Sequence, residues 1–212
     1  MNNFVIVLFA ITTLYLSSTS RIDAYIKTLA IQGFLLFLLV FFDSGHITGP
    51  NLIFLYIETL GFKSIIIPLF LFYILRRNDI ARERDPRIPH FFLMAITSII
   101  LLFGFFISFW SLEFAQNIDK ALYFGISVST IITGFLIIMT RRKIITHVIA
   151  YMVIENGIFL LSLSILKEMS FIVNLGVLLD IFVAIFLLGL FITRIHSTFE
   201  RINIDSLTNL KD

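Results

Sequence analysis

The feature that most constrains this chain is a series of seven long apolar runs separated by short polar turns, at residues 2–17, 25–42, 52–75, 91–110, 121–140, 144–166 and 171–193. A helix needs about 20 apolar residues to cross ~30 Å of hydrocarbon, and each run is close to that length. In lipid an isolated strand would leave its backbone N–H and C=O groups unpaired, so every run is read as a helix. Composition agrees. The chain is 58% hydrophobic and 14% charged, against roughly 25% charged in an ordinary soluble domain. The expected fold class is an all-α membrane protein with about seven transmembrane helices.

The polar turns carry an orientation signal. Arg21 and Lys27 flank the first turn, Arg76, Arg77, Arg82, Arg84 and Arg87 the third, and Arg141, Arg142 and Lys143 the fifth, while Arg194, Arg201 and Lys211 lie in the C-terminal tail. The intervening turns hold only Lys120 and Lys167. Basic residues collect on the cytoplasmic side, so the pattern predicts an N-terminus outside and a C-terminus inside. No basic residue precedes the first run and no small-residue cleavage site follows it before Arg21, so an uncleaved first helix is expected.

Several function classes fall away. The chain has no cysteine, so it cannot supply thiolates to an iron–sulfur cluster or a nickel–iron centre. No His or Cys pair stands at metal-ligand spacing, and no phosphate loop or nucleophile–base pair appears. The net charge of +2 is small and the basic residues mark topology, so nucleic acid is not an expected partner. The polar stretch 76–90 is too short for a catalytic domain; it reads as a hinge or an ordinary solvated loop. Any activity must lie within the bilayer or through partners.

Four ionisable side chains sit well inside apolar runs: Glu58 and Lys63 in the third, Glu155 in the sixth and Asp180 in the seventh. Placing Asp or Lys at the centre of a membrane helix costs roughly 2.5–3.5 kcal/mol on insertion scales, so each is a functional candidate unless it can reach the interface. Glu155, mid-run, is too deep for that. At ~100° per residue, His147, Tyr151 and Ser162 share its face, and such a stripe can hold a chain of protons or waters. The plainer alternative is a neutral Glu155 hydrogen-bonded between helices. Asn156 and Gly157 follow it, adding an amide and a place for close helix approach. Gly176 and Ala184 flank Asp180 at one turn and would let another helix approach its carboxyl. Ser129, Thr133 and Thr140 share a phase in the fifth run, offering a further polar stripe or simply fastening helices together.

In the third run, Glu58 and Lys63 fall about 140° apart on a straight α-helix, which makes them poor partners. Glu58 lies nearer the outer interface and is read as either functional or merely solvated. Lys63 is deeper, and a desolvated lysine can exchange protons. Pro68 cannot donate to the Ser64 carbonyl and is expected to kink the helix.

These residues carry a resemblance. From Gly134 to Asp212 the chain resembles the K-type membrane subunit of respiratory complex I, through the basic turn Arg141-Arg142-Lys143, the mid-helix acid of YMVIENG, an acid in the next helix, and the tail INIDSLTNLKD. Over its whole length it resembles the E component of hydrogenase-4. The matching motifs are Ile154-Glu155-Asn156-Gly157, LLDIFVAIF around Asp180, the Lys63-to-Pro68 spacing, and Gln32 in the second run. It departs from that family where Ile154 replaces the usual Met and where Glu58 has no counterpart. The resemblance implies a four-helix membrane extension at 1–110 and a K-type three-helix bundle with a cytoplasmic tail at 121–212. Shifting by about 122 residues pairs Arg21 with Lys143 and Glu58 with Asp180, as if the first three helices were a diverged copy of the last three.

The expectation is a non-catalytic membrane subunit of a hydrogenase-4-like redox complex. Glu155 and Asp180 would exchange protons with Lys63, His147 and Tyr151 in the relay, and Asn156, Ser129, Thr133, Gln32 and Glu58 would give polar support. The resemblance further implies no cofactor on this chain. Its partners would be antiporter-like membrane subunits, small membrane subunits and a nickel–iron and iron–sulfur redox arm, in the inner membrane. Two alternatives stay open: a purely structural anchor between antiporter-like subunits and the redox arm, and a subunit of a multisubunit cation/proton antiporter. A retinal-type pump would need a lysine in the last run, and 171–193 has none.

Overall fold

The computed structural model describes residues 2–43, 50–77, 88–110, 118–165 and 176. Within them run α1 (Asn2–Ser18), α2 (Ile22–Asp43), α3 (Pro50–Tyr56), a π-helical segment π1 (Ile57–Ile66), α4 (Ile67–Arg77), α5 (His90–Trp110), α6 (Ile118–Thr140) and α7 (Ile144–Ile165). Pro50 opens α3, where a missing N–H costs nothing, and Pro89 stands just ahead of α5, its carbonyl accepting from Phe92 and Leu93. Only Arg141, Arg142 and Lys143 separate α6 from α7.

Among the described residues five stretches are long and apolar enough to cross a membrane: Ile22–Phe42, Leu52–Arg76, His90–Ser108, Lys120–Thr140 and Ile144–Ile165. They match five of the seven runs expected from sequence. The first run forms a shorter helix of 17 residues, roughly 26 Å at ~1.5 Å per residue. The seventh run, with Asp180, lies outside the described residues apart from Gly176, as does most of the 76–90 loop.

The most extensive pairing is α6 on α7. Helix α1 packs on α2, α5 and α6, while α2 also meets π1, α4 and α7. Their shared core includes Phe9, Leu36, Leu39, Leu55, Ile126 and Leu160. Helix α5 is the least enclosed of the spans, and Phe91, Leu102, Phe103 and Trp110 stand exposed along it. It is seamed to α6 by small residues. A Cβ on Gly125 would lie 2.7 Å from the Gly104 carbonyl oxygen, and the Ser129 hydroxyl donates to the Ile100 carbonyl at 3.0 Å. Small residues let backbones approach where no hydrophobic force separates helix from lipid.

The third span departs from the α-helical register by which Glu58 and Lys63 are placed on its faces from sequence. α3, π1 and α4 form one unbroken rod, with Tyr56 and Ile67 at the borders of π1 keeping right-handed helical angles. The Ile67 N–H reaches back five residues to the Phe62 carbonyl, one further than in an α-helix. This wide turn ends one residue before Pro68. Helix α2 fits against it: a Cβ on Gly33 would come within 2.8 Å of the Lys63 carbonyl carbon and the Ser64 nitrogen, and Ser64 Oγ donates to the Ala30 carbonyl at 3.1 Å. Glycine is required at position 33 because the obstacle is backbone and cannot swing aside.

Candidate functional site

The π-helical register decides the chemistry of the third span. With bonds from i to i+5, residues five apart stack on nearly one face instead of lying about 140° apart. Glu58 and Lys63, expected to be poor partners, therefore face each other, with Lys63 Nζ 3.9 Å from Glu58 Oε1. Glu58 is not solvated either; it is only 2% exposed, and so is Lys63.

Lys63 makes its short contact across to α7. Its Nζ donates to Glu155 Oε1 at 2.7 Å, and Glu155 is 3% exposed. One turn further along α7, Phe159 offers its ring face to the same ammonium, 5.2 Å from centroid to Nζ. Glu155 and Phe159 thus grip Lys63 from one helix face, the first by charge and hydrogen bond and the second by its quadrupole. Away from water each of these terms is stronger than it would be at a surface, and so is the cost of any charge left unmatched.

A second string of polar groups starts beside Glu155. Asn156 Nδ2 donates to Gln32 Oε1 at 3.5 Å, and Gln32 Nε2 donates to Thr13 Oγ1 at 3.3 Å. Thr13 and Thr130 place their hydroxyls 3.3 Å apart, and Thr130 passes its own proton to the Ile126 carbonyl at 2.8 Å. Either threonine could donate in the Thr13–Thr130 contact, and Thr13 also donates to the Phe9 carbonyl at 3.2 Å; the string links α7 through α2 and α1 to α6. Amide N–H groups in this string do not release protons readily, so it orients the helix that carries Glu155 and does not conduct.

The remaining candidates from sequence fall in different places. His147 Nε2 lies 2.9 Å from the Arg141 carbonyl; a carbonyl only accepts, so Nε2 carries the proton and the ring caps the turn before α7. Tyr151 is half-buried one turn before Glu155. The single Ser129 hydroxyl proton is shared between the Ile100 carbonyl of α5 and the Gly125 carbonyl of its own helix, and Thr133 donates to the Ser129 carbonyl at 2.7 Å. Of the two readings of these hydroxyls, the Ser129 bond to α5 fits the fastening of helices, while Thr133 bonds only within its own helix. Asp180 lies outside the described residues.

Sequence reasoning misses Phe159, Thr13 and Thr130, which look like ordinary apolar or helix-embedded residues until a neighbouring helix is placed. It also takes Arg141 only as a topology marker. Arg141 is 1% exposed; its Nη2 donates to the Thr19 carbonyl and to His90 Nδ1, both at 3.0 Å, and its guanidinium lies 5.8 Å from the Tyr25 ring centroid. The cluster ties the α1–α2 turn, α2, the start of α5 and the α6–α7 turn together at one end of the bundle. Gly176, singled out in the sequence as a neighbour of Asp180, packs directly against the Glu58 carboxyl.

Comparison with known proteins agrees with the resemblance seen in the sequence. Over 150 residues the chain is 24% identical to Hydrogenase-4 component E of Escherichia coli K12, covering 70% of this chain and 68% of that one. The corresponding proteins of Escherichia coli O157:H7 and Shigella flexneri give the same figures. No family model and no solved structure matches the chain.

Proposed function

We propose that this chain is a non-catalytic, multi-pass membrane subunit of a hydrogenase-4-like redox complex, in which Glu155 and Lys63 exchange protons during ion translocation. The observation that carries the reading is the Lys63–Glu155 contact of 2.7 Å between two buried side chains on different membrane-crossing helices. A buried ion pair of this kind is expensive to enclose and contributes little net stability, since an apolar pair of the same volume does as well or better. Its presence at mid-span therefore favours a use in which the charges change, and intramembrane carboxylates typically serve such pathways. Similarity to component E of hydrogenase-4 supports a place in a larger hydrogenase assembly; in this reading the redox metals sit on partner subunits, with antiporter-like subunits beside this one in the inner membrane. Asp180 would be the second acid of the relay. The alternation of basic turns supports an N-terminus outside and a C-terminus inside.

In the assembled complex, Glu155→Gln is expected to keep hydrogenase turnover with a soluble electron acceptor while proton uptake or release by sealed vesicles falls at least about tenfold, the low end of what losing a positioned proton-transfer group costs. Unchanged coupled transport in that variant rejects the assignment and leaves a packing role. The packing alternative draws support from the Gly104–Gly125 seam and the hydroxyl-to-backbone bonds of α6. It predicts that the paired amide substitutions Glu155→Gln and Asp180→Asn, which keep hydrogen bonding but cannot titrate, leave coupling intact.

A further inference from the structure

Lys63 has two carboxylates within reach and only one is satisfied. Glu155 Oε1 takes the ammonium at 2.7 Å, whereas Glu58 Oε1 waits at 3.9 Å. Among the described residues neither Glu58 oxygen accepts a hydrogen bond, and the second Glu155 oxygen accepts none. Both acids are about as buried as the lysine, at 2%, 3% and 2% exposed for Glu58, Glu155 and Lys63. Among the described residues, two carboxylates and one ammonium leave one negative charge too many for so buried a place, and a group in that position neutralises by taking a proton. The charged groups of the described residues that face Glu58 are Lys63 on its own rod and Glu155 on α7. A further neighbour is Gly176, where an added Cβ would collide with the Glu58 carboxyl.

We propose that Glu58 is a second proton-binding site, filled in alternation with Glu155, with Lys63 moving to whichever carboxyl has lost its proton. In the arrangement seen in the structure Lys63 sits on ionised Glu155 and the proton resides on Glu58. When a proton arrives at Glu155 the ammonium swings about an ångström or more towards Glu58, and the Glu58 proton leaves as the ion pair re-forms there. One carboxyl proton is held before and after each exchange, so these three side chains begin and end it without a net charge. The π-helical turn makes this geometry possible, since in an α-helix Glu58 would point away from the lysine. The inference rests on the reading of the Lys63–Glu155 pair as proton-exchanging, and it adds a partner that the hydrogenase-4 resemblance does not supply.

The test uses the full chain with carbon-13-labelled glutamate, reconstituted in lipid nanodiscs at neutral pH and observed by infrared spectroscopy. Wild type should show one C=O stretch of a protonated, buried glutamate. Glu58→Gln should lose that band, because the remaining Lys63–Glu155 pair is already neutral, and Glu155→Gln should lose it as well because Lys63 then moves to Glu58. Lys63→Met should increase the band about twofold, both acids becoming neutral. Gly176→Ala, which crowds the carboxyl without removing it, should shift the band frequency, and it serves if Glu58→Gln does not insert. Retention of the band in Glu58→Gln, or an unshifted band in Gly176→Ala, overturns the site; retention in Glu155→Gln overturns the alternation. Loss of coupled transport is measured separately in the complex. A normal spectrum pattern with unaltered transport in Glu155→Gln therefore refutes the translocation reading while the proton site stands.

Discussion

Lys63 and Glu155 depend on each other more than either helps the fold. Removing the lysine takes the counter-charge from a buried carboxylate and forces it to take up a proton, so Lys63→Ala is expected to destabilise the chain by about 3–5 kcal/mol, whereas Lys63→Met combined with Glu155→Leu should recover most of that loss. Thermal unfolding of the wild type, the single variant and the double variant in the same detergent measures both effects, and a double variant as unstable as the single one contradicts it. Both residues are legible from the sequence alone, because their cost in hydrocarbon marks them. Their pairing is not, since it depends on which faces of α2, π1 and α7 meet. Gln32 and Asn156 likewise stand out singly, and only packing joins them through Thr13 to Thr130.

At the scale of the element, long apolar runs locate five spans closely; α7 begins at the residue where its apolar run begins, and α6 ends where its run ends. The angular ruler of 100° per residue fails over Ile57–Ile66, because it assumes the α register. Gly61 and Pro68 hint at an irregular rod, yet a proline more often signals a kink than a widened coil, so the ruler puts Glu58 on the wrong face. The fit of α2 against the wide turn gives a direct test. Gly33→Ala puts a methyl where the Lys63–Ser64 peptide lies, and overpacking of this kind costs typically 1–3 kcal/mol. A lowered unfolding temperature is expected, together with weakened coupled transport as the Lys63–Glu155 contact is pushed apart. Unaltered stability would mean that the two backbones lie further apart than the structure places them.

For the molecule as a whole, the alternating basic turns predict which ends face the cytoplasm. The chain has no native cysteine, so single cysteines report topology without background. Ser44→Cys and Ser111→Cys are expected to react with a membrane-impermeant maleimide added to intact spheroplasts, and Asn78→Cys and Ser206→Cys only after the membrane is opened; the reverse pattern inverts the assignment. The rod that contains π1 has one more consequence at this scale. Its span, Leu52–Arg76, uses 25 residues, while its described neighbours use 19 to 22. An α-helix of that length would overshoot a ~30 Å slab and have to lean or bulge to hide its ends. A coil of larger girth climbs less per residue, so the surplus is taken up in width, and the rod can stand nearly upright among shorter companions.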